Sequence, residues 1–531
     1  MGLKVVVSGT ASAAVANSVP GLVDDKVASR IAAKDFTLWG KDAEAESSIR
    51  LGWVTSATDS APLVDSILAL KAEFAAKGVT RFVLCGMGGS SLAPEVITRT
   101  AGVDLVVLDS THPDQIGAAL AGDLAKTAII VSSKSGSTVE TDSQKRIFEK
   151  AFTDAGIDKT DRVVVVTDPG SPMEAAAKAD GYRIFNADPT VGGRYSALTA
   201  FGLVPSGLAG VDIKGLLNDA NAVAELLASD DANNPALILG AALATTPGEF
   251  GNRDKIGIVS DGTPIVGFGD WAEQLIAEST GKLGKGVLPV ALQPDSQELH
   301  SGLADLLAVH VVADATVASG DAVAVSGSLG AQFLLWEYAT VIASRLIGVN
   351  PFDQPDVESA KIAARAMLES RDAVIPAQFV AEGVEVRSTE LALNGSTLSE
   401  AVKALLAKLS DDDGYVSIHA YLDRTSAPEA EELRDLFAKK TRRPVTFGWA
   451  PRFLHSTGQY HKGGPRQGVF LQVVSVSDQD IQVPGRDFTF GELIASQAAG
   501  DAKVLGALGR PVLTLTLAEA KAGLQALKNA I

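Results

Sequence analysis

Short runs of apolar, β-branched residues alternate with longer amphipathic stretches along much of this chain. Between residues 51 and 205, such runs are separated by helix-compatible segments, for example Ser137–Phe152. Strands that are apolar on both faces and alternate with helices are typical of a parallel sheet covered by helices on both sides. The strand-length runs are RFVLCG (81–86), VDLVVLD (103–109), AIIVSS (128–133) and RVVVVTD (162–168).

The alternation of strand and helix patterns returns twice further along the chain. One further unit combines KIGIVS (255–260) and AVAVSG (322–327) with helical patterns at 270–280, 330–347 and 353–370. The last unit combines VSIHAYL (416–422), PVTFG (444–448), GVFLQVV (468–474) and LTLTL (513–517) with a charged helix at 427–440. We therefore predict an α/β protein with two doubly wound parallel-sheet domains and a C-terminal α/β domain. The predicted divisions are an irregular N-terminal lead-in with short helical pieces at 1–50, a first domain at 51–230, a second at 235–375 and a C-terminal domain at 380–531.

Length and charge agree with several domains and restrict the choice of partners. At roughly 150 residues per domain, 531 residues correspond to about three to four domains. The net charge of −18 argues against a nucleic-acid or anionic-membrane partner, because both require a basic surface. The lone cysteine, Cys85, excludes a disulfide within the chain and a cysteine-built metal site. A weak apolar stretch near the N-terminus argues against a signal peptide, so we expect a cytoplasmic protein.

Two polar loops follow successive strands of the first predicted sheet. Gly86-Met87-Gly88-Gly89-Ser90-Ser91 follows RFVLCG, but it lacks the last glycine of a dinucleotide-binding fingerprint and the lysine of a P-loop. A later strand, AIIVSS, runs into Ser132-Ser133-Lys134-Ser135-Gly136-Ser137-Thr138, directly before a helix. Hydroxyl donors and a lysine at a helix N-terminus favour an anion. Because the two loops follow strands of one predicted sheet, we predict a phosphate or sugar-phosphate site rather than two helix caps.

Other candidate groups lie further along, and each has a structural alternative. Arg194 follows a glycine pair and suits either an anionic ligand or a structural ion pair. Gln274 and Glu278 are spaced i, i+4 and share one helix face, where the carboxylate either takes a proton from carbon or faces solvent. The remaining candidates are Gln354 and Lys361, which are two helical turns apart, and His455 and His461, in a glycine-rich polar loop. We expect no metal at these histidines, because no third ligand is suitably spaced.

Together these segments resemble the phosphoglucose isomerase family. VGGRYSALTAFG and FDQPDVESAK match the two family signatures, and GMGGSS, SSKSGSTVET and QLIAESTGK stand in the family's order around them. The resemblance covers roughly residues 80–370. The later segment PRFLHSTGQYHKGGP resembles the isomerase half of transaldolase–phosphoglucose isomerase fusion proteins.

The resemblance implies sugar-isomerase (SIS-type) domains and interconversion of glucose 6-phosphate and fructose 6-phosphate, a step of glycolysis and gluconeogenesis. Glu278 would move the proton between C1 and C2, and Arg194 would stabilise the cis-enediolate. Lys361 would assist ring opening. The residues implied to contact substrate are Gly89, Ser90, Ser133, Lys134, Ser135, Thr138, Gln274 and Gln354. This chemistry needs one base and a fixed positive group, and neither a metal nor a redox cofactor.

The sequence departs from the family at two points. Asp356 stands where the second signature has a small residue. The ring-opening histidine of the family lies between the glutamate and glutamine–lysine segments, but this interval offers only His300 and His310, and His310 is predicted to be buried. His455 and His461 are the better candidates, and the choice between them stays open. The family's histidine comes from a partner subunit, so a homodimer stays open as well.

Two alternatives compete with this interpretation. A dual-specific relative would also isomerise mannose 6-phosphate, and a sensor would bind a sugar phosphate without catalysis. A sensor needs no carboxylate at the reacting carbons, so the placements of Glu278 and Lys361 favour an enzyme.

Overall fold

The architecture is taken from a computed structural model, which describes residues 2–249, 251–316, 320–370, 376–477 and 479–531. Its strands, in chain order, are β1 Lys4–Val7, β2 Arg81–Gly86, β3 Val106–Leu108, β4 Thr127–Ser132, β5 Val163–Thr167, β6 Arg183–Asn186, β7 Pro247–Gly248, β8 Gly251–Asn252, β9 Lys255–Ser260, β10 Leu288–Leu292, β11 Leu306–Val311, β12 Ala322–Ser326, β13 Phe379–Ala381, β14 Val384–Thr389, β15 Tyr415–Tyr421, β16 Val445–Trp449, β17 Gly468–Ser475 and β18 Val512–Leu517.

The α-helices, in chain order, are α1 Gly9–Asp24, α2 Val27–Ala32, α3 Glu44–Ser47, α4 Ser56–Asp59, α5 Leu63–Ala76, α6 Leu92–Ala101, α7 Pro113–Leu120, α8 Val139–Asp154, α9 Pro172–Asp180, α10 Ala200–Ala209, α11 Ile213–Leu227, α12 Pro235–Thr245, α13 Phe268–Thr280, α14 Leu329–Ile347, α15 Val357–Ser370, α16 Leu398–Leu406, α17 Glu432–Thr441, α18 Gly458–Gly463, α19 Phe490–Ala507 and α20 Ala520–Ala530. Short 3-10 turns lie between them, including Gly88–Ser90, Gly193–Tyr195 and Arg452–His455.

The first sheet has the order β3-β2-β4-β5-β6 and is parallel throughout. Its central strands are buried because helices cover both faces, which is why they are continuous apolar runs in the sequence. In the register, Gly86 at the end of β2 pairs with Ser132 at the end of β4. The two polar loops therefore leave the same edge of the sheet side by side.

The second sheet has the order β1-β12-β11-β9-β10 and is parallel except for β1. The edge strand β1 runs antiparallel to β12, with Lys4 opposite Ser326. The segment 1–50 was predicted as an irregular lead-in with short helical pieces, but it supplies the edge strand β1 and a 16-residue helix, α1. Strand β1 is short and half-exposed, and its partner lies more than 300 residues away, so no local pattern indicates the pairing.

The third sheet forms the C-terminal α/β unit, in the order β13-β14-β18-β17-β15-β16. Strands β16, β15, β17 and β18 are parallel, and β13 and β14 add an antiparallel edge. The predicted fold class, with parallel-sheet cores in an α/β chain, is confirmed. One face of this sheet packs on its own apolar cluster, around Val416, Ile418 and Leu513.

Packing between the units brings the C-terminal chain against the first two sheets. Helices α12, α14, α11 and α13 share one large apolar cluster with the first sheet. From the C-terminal unit, α18 contacts α13, and α19 packs along α15. The helices that carry Glu278 and Lys361 are therefore both covered by C-terminal elements. Within the described ranges, no helix is both long and apolar enough to cross a membrane.

Candidate active site

The loop after β2 lies directly against the loop that carries Arg194. A Cβ atom at Gly89 would lie 2.0 Å from the carbonyl oxygen of Gly193, so any larger residue would push the loops apart. A Cβ atom at Gly88 would lie 2.6 Å from the carbonyl oxygen of His455. Ser90 ends this turn and is buried. The glycines thus allow three chain segments to meet at one point.

The loop after β4 is organised by its own hydroxyl groups. Ser133 Oγ lies 3.0 Å from Thr138 Oγ1 and accepts a hydrogen bond from the Gly136 backbone N–H at 3.2 Å. Thr138 is the residue that precedes α8, in an extended conformation. The loop therefore brings hydroxyl groups and the first backbone N–H groups of α8 together at a helix start.

Lys134, predicted to contact the phosphate, is engaged by other groups of the protein. Its ammonium forms an ion pair with Asp168 and donates to the carbonyl of Pro189 at 3.3 Å. Burial lowers the pKa of Lys134, although Asp168 opposes the shift. The side chain is therefore engaged at the edge of the loop, and it does not line the cavity described below.

Arg194 is buried and faces Glu278. Its Nη2 donates to the carbonyl of Phe352 at 2.9 Å and to Oε1 of Gln354 at 2.7 Å. Its Nη1 lies 3.8 Å from Oε2 of Glu278, and among the described residues this buried nitrogen has no hydrogen-bond partner. One end of the guanidinium is thus fixed by protein, while the other carries a free donor beside the carboxylate.

Gln274 and Glu278 lie on the same face of α13, as their spacing predicts. Gln274 Nε2 donates to Glu278 Oε2 at 3.2 Å and to the carbonyl of His455 at 2.8 Å. Gln274 is buried, and the Glu278 side chain is 14% exposed. The predicted alternative of a solvated helix face is therefore wrong for this pair.

His455 belongs to this group, although it lies far away in the sequence. Its Nε2 is 2.9 Å from Oε1 of Glu140, in the first turn of α8, and Gln497 donates to the same oxygen at 2.7 Å. Burial disfavours the ionised form of Glu140, but His455 and, more weakly, Lys361 hold its pKa below the usual range. A charged carboxylate thus orients the imidazole.

A cavity of about 360 Å³ joins the loop after β4 to α15 and the C-terminal unit. Lys361 lines it with a side chain that is 44% exposed. The polar residues that line the cavity are Ser135, Ser137, Thr138, Glu140, Gln354, Glu358, Lys361, Arg365, His455, Ser496 and Gln497. The cavity has room for a small polar ligand and brings together several of the segments predicted to contact substrate or take part in catalysis.

His461 lies apart from this cavity. It is buried, with Nδ1 3.1 Å from the Tyr415 hydroxyl and Nε2 3.3 Å from Ser417 Oγ. Burial, with the neighbouring His419, lowers its pKa well below the usual range. It lines a separate cavity of about 710 Å³ next to the third sheet. His461 is therefore separated from His455 and Lys361, which line the smaller cavity.

The two histidines from the family's usual interval lie outside the candidate site. The apolar sequence around His310 predicts burial, but its side chain is 28% exposed, and its Nδ1 lies 3.0 Å from Asp261. It sits near the end of β11, where the strand reaches the surface and a polar partner is available. His300 is exposed.

Several residues that the structure places at the site were not identified from the sequence. Lys282 is buried, and it donates to the carbonyls of Asn350 and Asp353 at 2.6 Å each and to Asp353 Oδ1 at 2.7 Å. Burial lowers its pKa to about 8. Lys282 lies two residues beyond the end of α13 at Thr280, so helical spacing from Glu278 does not indicate its position. Glu140 and Gln497 are 357 residues apart, and no local pattern links them.

The described residues offer no evident metal site. Among them, His, Cys, Asp and Glu side chains do not form a group of three or more suited to holding a metal ion.

The three sheets define an α/β protein with parallel-sheet cores, and solved structures share this fold. A hypothetical protein from Thermus thermophilus superposes with a TM-score of 0.57 at 25% identity, covering 69% of this chain and all of that one. A glucose-6-phosphate isomerase from Chlamydia trachomatis shares the fold, with a TM-score of 0.52 at 19% identity, over 62% of this chain and 75% of that one.

Sequence comparison narrows this class. A "Probable glucose-6-phosphate isomerase" from Haloarcula marismortui is 31% identical over 339 residues, which are 54% of this chain and 77% of that protein. A glucose-6-phosphate isomerase from a Synechococcus species is 27% identical over 358 residues, or 56% of this chain and 67% of that protein. The family model for phosphoglucose isomerase matches residues 69–287. The chain belongs to the phosphoglucose isomerase family.

Proposed function

We propose that this chain is a glucose-6-phosphate isomerase that interconverts glucose 6-phosphate and fructose 6-phosphate. The observation that carries the proposal is the pair Glu278 and Arg194, a carboxylate and a buried guanidinium 3.8 Å apart, both within the residues that match the family model. Arg194 also bonds Gln354, which lines the cavity at the hydroxyl-rich loop. Aldose–ketose isomerisation needs a base that takes and returns one proton, and a positive group beside the developing oxyanion.

Glu278 removes the proton from C2 of the open-chain aldose, and the electrons move into a cis-enediolate. The negative charge develops on oxygen beside Nη1 of Arg194, the donor without a protein partner among the described residues. Glu278 then returns the proton to C1, while the hydroxyl proton of O2 moves to O1, which leaves a carbonyl at C2 and gives the ketose. Gln274, bonded to the base at 3.2 Å, keeps the carboxylate on the reacting side of the helix.

His455 serves ring opening in this proposal, with Lys361 beside it. Its contact with Glu140 supports this role, because a carboxylate that accepts the Nε2 proton leaves Nδ1 to exchange a proton with the sugar. His461 is bonded at both ring nitrogens to other side chains, so it is not our choice.

The phosphate lies against the loop between β4 and α8. The hydroxyls of Ser133, Ser135 and Thr138 and the first N–H groups of α8 supply donors for it. Ser90 and Gly89 lie on the neighbouring loop. Lys134 acts from a distance in this proposal, because Asp168 already pairs with it.

The likeness of PRFLHSTGQYHKGGP to the isomerase half of the fusion proteins supports only the isomerase activity. A cytoplasmic setting is consistent with the lone buried cysteine. The dual-specific and sensor alternatives are separated from the main proposal by assay.

The test is conversion of fructose 6-phosphate to glucose 6-phosphate, coupled to a glucose-6-phosphate dehydrogenase, with mannose 6-phosphate assayed in parallel. His455→Asn should lower kcat by at least about tenfold, while His461→Asn should stay within about threefold of wild type, per folded molecule. Binding of the sugar phosphate without turnover by the folded wild type would support a sensor instead. A larger loss in His461→Asn than in His455→Asn would reverse the assignment of the histidine.

A further inference from the structure

Gln459 is a fully buried amide at the junction between the C-terminal unit and the first two sheets. It lies in α18, and its Oε1 accepts a hydrogen bond from the Asp356 backbone N–H at 2.9 Å. Its Nε2 donates to Asp356 Oδ2 at 2.6 Å and to the carbonyl of Gly281 at 2.9 Å. A neutral, buried side chain that makes three hydrogen bonds holds its partner groups in place. Breaking any of these bonds would leave a buried polar atom unpaired.

Each contact of Gln459 leads to a different part of the proposed active site. Gly281 follows the C-terminal end of α13 and is three residues after Glu278. Asp356 precedes α15, the helix of Lys361. Gln459 itself is four residues after His455. One amide therefore joins the segments that carry the base, the lysine and the histidine.

The chain segments around these contacts are closely packed. A Cβ atom at Gly281 would lie 2.5 Å from Cα of Tyr460, and a Cβ atom at Gly463 would lie 2.2 Å from Asp356 Oδ2. The Gly284 backbone N–H also donates to the carbonyl of Gly463 at 2.8 Å. The chain segments meet in backbone contact here, so the position of one constrains the others.

The contact also accounts for an unusual residue in the sequence. Asp356 stands where a small residue is the family pattern, and a small residue has no carboxylate to receive the Gln459 amide. Asp356, the residue that departs from the family pattern, thus accepts a hydrogen bond of 2.6 Å from Gln459 in the C-terminal unit.

We propose that Gln459 is a positioning residue, which sets His455 against the segments of Glu278 and Lys361 through Asp356 and Gly281. This inference rests on the proposed isomerase function. Gln459 acts through the backbone and side chain of the residues it bonds, so its effect is on geometry. Displacing a catalytic group by about 1 Å can cost on the order of 100-fold in rate.

Gln459→Leu is the direct test, and the chain offers a matched control. Gln467, also in the C-terminal unit, donates to Asp254 and Asp413 at 3.0 and 3.1 Å and accepts from Lys255 at 3.2 Å. We expect Gln459→Leu to lower kcat on fructose 6-phosphate by about 10- to 100-fold, with KM within about threefold of wild type. Gln467→Leu should leave both constants within about threefold.

A double-mutant cycle separates positioning from a general loss of structure. In a protein that already carries His455→Asn, adding Gln459→Leu should lower kcat by less than about threefold, since the group that Gln459 positions is already gone. Losses that multiply would overturn the proposal.

A second pair of variants covers the case in which Gln459→Leu does not fold. Gln459→Glu sets two carboxylates against each other and should lower kcat by about 100-fold, and adding Asp356→Asn should restore at least about tenfold by returning an amide to the pair. No restoration would count against the proposal.

Failure of this inference and failure of the proposed function give different results. A wild-type protein without turnover contradicts the function itself. An active wild type, together with Gln459→Leu and Gln467→Leu that behave alike, contradicts only the role of Gln459.

Discussion

Arg194 combines a fixed charge with one uncommitted donor, and this is the residue-scale basis of the proposed catalysis. Arg194→Lys keeps a positive charge but loses the planar fork that bonds Phe352 and Gln354 on one side and reaches Glu278 on the other. We predict a fall in kcat of about 100- to 1,000-fold with a smaller change in KM, measured in the coupled assay. A change in kcat of less than about threefold would remove Arg194 from the stabilisation of the enediolate.

A second residue-scale prediction concerns Glu273, one residue before Gln274 on α13. Burial, reinforced by Asp270, raises its pKa from 4.5 to about 8. The folded chain then holds a proton that the unfolded chain releases between these pH values, so the free energy of unfolding falls as pH rises through this window. Glu273→Gln should remove this dependence and raise stability at pH 8 by about 1–2 kcal/mol, with little effect near pH 4.5. Denaturant unfolding at both pH values is the measurement, and equal pH dependence in both proteins would contradict the shift.

At the scale of elements, the loop between β4 and α8 is proposed to hold the non-reacting end of the substrate. Ser133→Ala combined with Thr138→Ala removes two hydroxyls that lie 3.0 Å apart. We predict that KM rises by about tenfold while kcat changes by less than about threefold, because these donors bind ground state and transition state alike. Initial rates over a range of fructose 6-phosphate concentrations give both constants. A collapse of kcat at unchanged KM would instead assign the loop to the chemistry.

Some strands and helices could be predicted from the sequence, and others could not. The runs RFVLCG and KIGIVS predict strands with the observed bounds of β2 and β9, since buried parallel strands need a continuous apolar run. Strand β6 was missed because Arg183–Asn186 is a half-exposed edge without such a run. The helix predicted at 353–370 begins at Val357, since Asp353 and Gln354 are bonded instead to Lys282 and Arg194.

At the scale of the whole molecule, the candidate site could be predicted only in part. The two polar loops could be placed together because parallel strands end at one edge, and the register of Gly86 with Ser132 agrees. The contact between His455 and Glu140 spans 315 residues and depends on how the C-terminal unit packs on the first sheet. Residue types in a loop carry no information about such packing, which is why His455 and His461 were not separable from the sequence.

The position of His455 leads to a prediction about assembly. In this chain the histidine next to Glu140 comes from the same subunit, so the proposed site does not need a partner to supply it. We predict that turnover per subunit stays constant when the protein is diluted until it is monomeric, as followed by light scattering and the coupled assay. Loss of activity in step with dissociation would contradict a site built within one chain.

The most direct test of the account is turnover of fructose 6-phosphate by wild type beside Glu278→Gln, with binding of the sugar phosphate measured for both. The substitution keeps the shape of the side chain and removes the base. The account predicts that binding changes by less than about threefold while kcat falls by at least about 1,000-fold. Comparable turnover in the two proteins would contradict the central claim that Glu278 moves the proton between C1 and C2.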